Sequence, residues 1–261
     1  EMTWVNKIQE ALNNGQFLLM AQKIAGIKEH NSDAVHFEIL IRMLDENGGI
    51  ISPDKFLPAA ERYNLSPEID RWVVTNTFKW LSENKEQLEA LDLCSINLSG
   101  NTLSDDSFSD FLLQQFVYFK IPSEKICFEI TETAAISNLD VAQRFIHSFS
   151  NELRCKFSLD DFGTGLSSFA YLKNMPVDFI KIDGQFVRDI TSDPIDMAMV
   201  RSINEIGQIM GKKTIAEFVE NEQILKQLKL IGIDYVQGFH ISKPVTLDQL
   251  KQQKSFEQFK N

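Results

Sequence analysis

Eight short apolar runs recur along this chain, separated by helix-like sequence, and most of them end in an acidic or amide side chain. In order they read FLLMAQKI, AVHFEILI, LCSINLS, KICFEIT, KFSLDDF, DFIKID, KTIAEF and DYVQGF. Their brevity and their β-branched and aromatic content mark them as strands. Apolar residues return at helical spacing around Pro53 to Tyr63, Pro67 to Leu88, Asp105 to Phe119, Leu139 to Leu153, Ile195 to Met210 and Glu222 to Leu230, with a short helix expected from Leu166. Such alternation predicts an α/β fold of the (β/α)8 barrel type. The rival is an open doubly wound sheet, which gathers ligands at one crevice. A barrel collects them from the carboxyl ends of many strands, as the polar endings here require.

The length of 261 residues and 43% hydrophobic content suit one large domain. A formal net charge of −11 argues against broad attachment to a nucleic acid polymer or to an anionic membrane surface. Cys94, Cys127 and Cys155 are isolated within apolar stretches, as buried thiols in a reducing compartment are. No apolar run approaches the roughly 20 residues that span a bilayer, and the start resembles no secretory signal. A cytoplasmic domain is expected, whether or not a longer parent is membrane-anchored. Trp4, Val5, Ile8, Ala11 and Leu12 form a helical stripe that Asn13, Asn14 and Gly15 interrupt. Residues 1–15 therefore read as a linking helix and residues 16–261 as the main domain.

A carboxylate in an apolar strand is costly to bury unless it is paired or binds metal. Glu38, Asn97, Glu129 and Asp160 offer hard oxygen ligands from four strands, and Asp161 provides for a second ion with Asp160 as bridge. Oxygen ligation favours Mg²⁺ or Mn²⁺ over zinc, and the four histidines show no zinc spacing. Two such ions form a standard clamp for phosphodiester hydrolysis. Lys181 is expected at the same polar mouth, facing the attacking water or a phosphate oxygen, with Asp183 orienting it. Glu217 and Glu220 follow the seventh strand, one completing the metal or water shell. Gly163 and Gly165 allow a tight loop after the paired aspartates. Taken singly, each acid has an ordinary reading as a strand-edge charge or a helix cap. Their repetition is what points to one site.

These motifs resemble the EAL family of cyclic di-GMP phosphodiesterases over Phe17 to Pro244. EILIR at Glu38 to Arg42 is similar to the family's ExLxR signature, and INLS, EITE, DDFGTG, KID, AEFVE and QGFHISKP follow in family order. The resemblance implies a modified TIM barrel with an antiparallel first strand, and hydrolysis of cyclic di-GMP to linear pGpG in second-messenger signalling. It matches Glu38, Asn97, Glu129 and Asp160 to ligands of a first ion, and Asp160 and Asp161 to ligands of a second. Lys181 and Glu217 match groups around the water. Glu132 matches the residue steadying the DDFGTG loop, and Glu220 a further acid. Gln22, Arg42 and Gln237 match substrate contacts, with Leu40 and Pro58 expected against a guanine. Calcium inhibition is implied, because Ca²⁺ prefers looser coordination than Mg²⁺.

The departures from the family pattern are Ile39 for the alanine of EAL, Phe218 for a common glycine, Lys23 for a proline after Gln22, and His36 for a small residue. Phe218 has the bulk to reposition Glu217 or Glu220. The alternative reading is a receptor that binds cyclic di-GMP without turnover, against which the complete ligand set speaks. A scaffold that uses the barrel only for packing would leave the buried acids unexplained. The resemblance also implies a homodimer through DDFGTGLSSFAYLKNM, and an upstream GGDEF or sensor domain joined by TWVNKIQEAL.

Overall fold

The computed structural model describes residues 2–164 and 169–252. Eight strands close into a barrel: β1 (Phe17–Gly26), β2 (His36–Leu44), β3 (Leu93–Asn97), β4 (Ile126–Thr131), β5 (Lys156–Phe162), β6 (Phe179–Ile182), β7 (Lys213–Ala216) and β8 (Tyr235–Val236). Successive pairs from β2 to β8 are parallel. The first strand, β1, closes the ring antiparallel to both β2 and β8. The expected barrel with an inverted first strand is thus the observed architecture. Two short ribbons extend it, Ile50–Ile51 beside β2 and Val245–Thr246 beside β1.

Strand periodicity divides the core in two. Outward-facing Phe37, Ile39, Cys94, Ile96, Phe128, Phe157 and Ile180 pack with the helices in one large apolar cluster. Burying a phenylalanine contributes roughly 1.5–3 kcal/mol, so Phe37, Phe56, Phe78, Phe108, Phe128, Phe157 and Phe162 are the main anchors of this layer. Inside the barrel, Ile24, Leu93, Cys127, Phe179 and Ile215 form a separate apolar floor, with Tyr235 packed against it. Two residues further toward the mouth on each strand stand Gln22, Ser95, Glu129, Lys181, Glu217 and Gln237. Glu38 stands likewise two residues beyond His36, which is buried and within 2.9 Å of the Ser95 hydroxyl. Burial holds the His36 imidazole down to about 3, which keeps it neutral. All three cysteines are buried and free.

At the opposite face, one device recurs. Asp92, Asp178 and Asp234 each precede a strand and accept the backbone N–H of Val35, Phe157 and Thr214 at 2.6, 3.0 and 2.9 Å. Each clamp fixes where a neighbouring strand begins, and so fixes register for the residues at the mouth.

The N-terminal helix spans Met2–Asn14, buries Ile8 and Ala11, and ends at Gly15 with φ of 68°. The helix expected over Pro67 to Leu88 is broken into Ser66–Glu83 and Lys85–Ala90. Asn84 interrupts it, its side chain donating to the Trp80 carbonyl at 2.7 Å in competition with the helical ladder. The helix expected from Leu166 lies outside the described residues.

Candidate active site

Lys181 is the hub of the mouth. It is fully buried, and its Nζ lies 2.7 Å from Glu129 Oε2, 3.2 Å from Glu38 Oε2, 3.2 Å from Glu217 Oε1 and 3.3 Å from Asp160 Oδ1. Five strands or strand ends supply these groups, because the inward position two residues above the floor recurs around the ring. Glu38 is held further by Asn97 Nδ2, donating to Oε1 at 2.6 Å, and by Gln237 Nε2, donating to Oε2 at 2.7 Å. Gln237 Nε2 also reaches Gln22 Oε1 at 3.2 Å, and Gln22 Nε2 donates to the Ser242 carbonyl at 2.9 Å.

Adjacent strand residues ordinarily point to opposite faces, so Asp160 and Asp161 should not meet at one site. They do so through a register shift between Leu159 and Phe162, where Asp161 takes φ of 53°. This irregularity bends β5 and brings oxygens of Asp160, Asp161 and Glu217 within 4.8 Å of one another. Glu217 adjoins a second strained point. Phe218 has φ of 54°, and its ring covers Gly184, where an added Cβ would lie 2.1 Å from Cδ2. The bulk of Phe218 is therefore seated on the glycine after Asp183, with Arg188 5.7 Å from its ring. Replacing Gly184 with alanine is expected to lower stability by about 1–3 kcal/mol through overpacking. Thermal denaturation of the variant checks it.

One ammonium is insufficient for these acids. Burial pushes the Glu129 carboxyl up to about 8, with Lys181 pulling against it, and pushes Asp161 up to about 6 with Asp160 and Asp183 adding to the rise. Burial likewise raises Glu217 well above the carboxylate range, and raises Asp160, despite Lys181. Glu38 ends below its ordinary value, because Lys181 and the bonds from Gln237 and Asn97 outweigh its burial. Burial works against the Lys181 cation too, but Asp160, Glu129, Glu217 and Glu38 overcome it and hold its pKa well above the usual lysine value.

The donor set fits a metal. Oxygens of Glu38, Glu129 and Asp160 lie within 4.8 Å of one another, as do those of Asp160, Asp161 and Glu217. Glu129 Oε1 is buried without a hydrogen-bond partner, an open acceptor of the kind a cation satisfies. The acidic side chains are thus gathered to hold a metal.

The remaining predicted residues distribute unevenly. Glu132 starts the helix Glu132–Ser137, fully buried, and accepts from Gly163 N at 2.9 Å and from the Tyr171 hydroxyl at 2.5 Å. It ties down the loop after the paired aspartates. A cavity of about 240 Å³ is lined by Gln22, Glu38, Leu40, Glu217, Glu220 and Gln237, joined by Phe218 and Phe239. A second, of about 790 Å³, includes Asn97, Asp161 and Asp183. Asp183 does not contact Lys181 through any hydrogen bond described; its side chain caps the helix Gly184–Arg188 by accepting from Gln185 N at 2.7 Å. Arg42 shares the face of Glu38 and Leu40 and donates to the Ile41 carbonyl at 2.8 Å. Pro58 is exposed and lines neither cavity. Pro53 and Leu57 on the same helix line the larger one, since a step of one residue turns a side chain about 100° away. Tyr171 escaped the sequence argument, having no motif of its own. Phe239 was readable, standing two residues after Gln237.

The fold and site define a barrel protein with a carboxylate-rich candidate metal centre at the C-terminal mouth, the face that carries active sites in such barrels. The chain belongs to the EAL domain family, whose sequence model spans residues 5–244. It is 41% identical over 245 residues to the cyclic di-GMP phosphodiesterase PdeB of Shewanella oneidensis, covering 94% of this chain and 28% of that protein. It is 39% identical to the cyclic di-GMP phosphodiesterase PdeF of Escherichia coli, covering 95% of this chain and 32% of that one. The chain thus spans about a third of the length of these curated relatives. Among solved structures, the PaMucR phosphodiesterase in complex with c-di-GMP superposes with a TM-score of 0.87 at 28% identity, covering 95% of this chain and 99% of that one. The FimX EAL domain from Pseudomonas aeruginosa bound to c-di-GMP gives 0.85 at 28% identity, covering 94% and 96%.

Proposed function

We propose that this domain hydrolyses cyclic di-GMP to linear pGpG with two bound divalent cations, Mg²⁺ or Mn²⁺. The observation that carries the reading is the convergence of four carboxylates on one buried lysine, with Asp161 beside them, between two cavities, in a chain similar to cyclic di-GMP phosphodiesterases. With Glu38, Glu129, Asp160, Asp161 and Glu217 ionised against Lys181, four formal negative charges remain, which two divalent ions would neutralise. Glu38, Asn97, Glu129 and Asp160 would hold one ion, and Asp160, Asp161 and Glu217 the other. Bound divalent ions supply Lewis-acid stabilisation of phosphoryl oxygens and a nucleophile at neutral pH.

The chain's own side chains do the rest. Lys181, fixed by four carboxylates, offers a cation to the water or to a phosphate oxygen. Glu217, half-buried at the rim, is placed to accept the proton of the water. Arg42 contacts a phosphate, while Gln22 and Gln237 hold Glu38 and line the pocket. Leu40, with Phe218 and Phe239, gives a guanine an apolar face, and Glu220 closes that rim. Asp183 fixes the helix beneath the Phe218 ring.

Glu132 acts through the loop after Asp161. Replacing it with alanine is expected to reduce kcat/KM about 10–100-fold, the usual cost of losing a partner that orients metal ligands. Steady-state hydrolysis checks this.

The deciding experiment incubates the purified domain with cyclic di-GMP and Mg²⁺ or Mn²⁺ and follows products by chromatography. Linear pGpG that appears only with these ions, and not with Ca²⁺, is the expected result. Binding without product makes the domain a receptor, and neither binding nor product overturns the ligand assignment. In this reading residues 1–15 join the domain to an upstream GGDEF or sensor domain in the cytoplasm. It pairs as a homodimer through the segment from Asp160 to Met175, of which residues 165–168 lie outside the described set. Full activity with only monomer in sedimentation at micromolar concentration would remove the dimer.

A further inference from the structure

We propose that Asp70 is a positioning residue of this centre: it fixes the turn that follows Asn97 and thereby sets the affinity for the divalent cation. The inference rests on the reading of Asn97 as a metal ligand. Asp70 lies on the helix Ser66–Glu83 with 8% exposure, and a single oxygen, Oδ2, accepts from Ser99 N at 2.8 Å and from Thr102 Oγ1 at 2.5 Å. Both donors belong to the turn that follows β3. Ser99 also caps the helix Gly100–Leu103, its hydroxyl accepting from Thr102 N at 3.2 Å and lying 2.9 Å from Thr102 Oγ1.

The Asn97 side chain is exposed, so packing does not fix it. Its backbone is held from two sides. Leu98 N donates to the Glu129 carbonyl at 2.9 Å on the barrel side, and Asp70 takes Ser99 N on the helix side. A neutral residue would hold this helix in place at lower cost, because burying a carboxylate is unfavourable. Burial raises the Asp70 carboxyl to about 6 even with these bonds pulling it down. What the carboxylate adds is short, charge-assisted bonds that set direction. The turn is packed tightly on its other side as well, where a Cβ added at Gly100 would lie 3.2 Å from Ala134 Cβ, on the helix that begins with Glu132.

The test measures Mn²⁺ binding to the whole domain by electron paramagnetic resonance, beside hydrolysis as a function of Mn²⁺. Asp70→Ala is expected to weaken Mn²⁺ binding about 10–100-fold. Its kcat recovers at saturating Mn²⁺, and Asp70→Asn, which keeps one acceptor, restores most of the affinity. In Asn97→Ala the added Asp70→Ala has little further effect, because both act at one ligand. Should Asp70→Ala not fold, Thr102→Val, which removes the hydroxyl donor to Asp70, carries the same comparison. A lower melting temperature with unchanged Mn²⁺ affinity overturns the inference and leaves Asp70 purely structural. Failure of the wild-type domain to bind Mn²⁺ overturns the metal reading along with it, so the two failures are distinguishable.

Discussion

Lys181→Met is expected to destabilise the metal-free domain by about 3–5 kcal/mol, the range for breaking a buried charge network by removing one partner. The substitution leaves Glu38, Glu129, Asp160 and Glu217 around a site with no cation, each with an oxygen within 3.3 Å of where Nζ stood. Burial already drives Glu129 up to about 8 with the ammonium in place. Without it, the acids must take up protons or repel one another. Mg²⁺ or Mn²⁺ should restore part of the loss, since saturation at 100 times Kd adds about 2.7 kcal/mol. Hydrolysis should nevertheless stay more than about 100-fold below wild type, exceeding the usual loss for an outer partner because Lys181 faces the reacting groups. Urea denaturation with and without Mn²⁺ reads the first effect, and product chromatography the second. Lys226→Met is the control, because its pair with Glu222 spans 3.9 Å on the surface and should change stability by no more than about 0.5 kcal/mol. Equal effects for the two lysines would refute the hub.

Glu38→Gln should reverse that balance. The side chain keeps its volume and an acceptor for Asn97 or Gln237, while one negative charge leaves a site with an excess of them. Metal-free stability is expected to change by less than about 2 kcal/mol, within the cost of one disturbed buried hydrogen bond. Turnover should fall more than about 100-fold, because an anionic ligand is lost from the shell itself. Mn²⁺ titration by calorimetry should show weaker binding. A stability loss matching that of Lys181→Met would mean that Glu38 serves the fold before it serves the metal.

The two substitutions probe parts of the site that differed in legibility. Glu38, Glu129 and Lys181 were readable because strand alternation is local: each stands two residues beyond a floor position and must share its face. Asp160 and Asp161 were readable as ligands of neighbouring ions, but not the backbone turn that lets adjacent strand residues share one mouth. Ideal alternation would have sent one of them outward, and the left-handed Asp161 that prevents this has no distinct sequence signal. Pro58 stands outside both cavities for a similar reason, since helical angle decides exposure and the register of that helix against the cleft is set by Phe56 and Ala60 in the core.

By itself, the sequence determined the alternation of eight strands with helices, the inverted first strand through family resemblance, and the acids that end the strands. These follow from short-range periodicity and from the cost of burying charge without a partner. Only the tertiary structure decided that four carboxylates share one ammonium, that Gln237 reaches Glu38 across 199 residues of chain, that Phe218 rests on Gly184, and that Asp70 grips the turn after Asn97. Those contacts exist because closing the ring brings distant strand ends within a few ångströms, and no periodicity along the chain encodes which of them will touch.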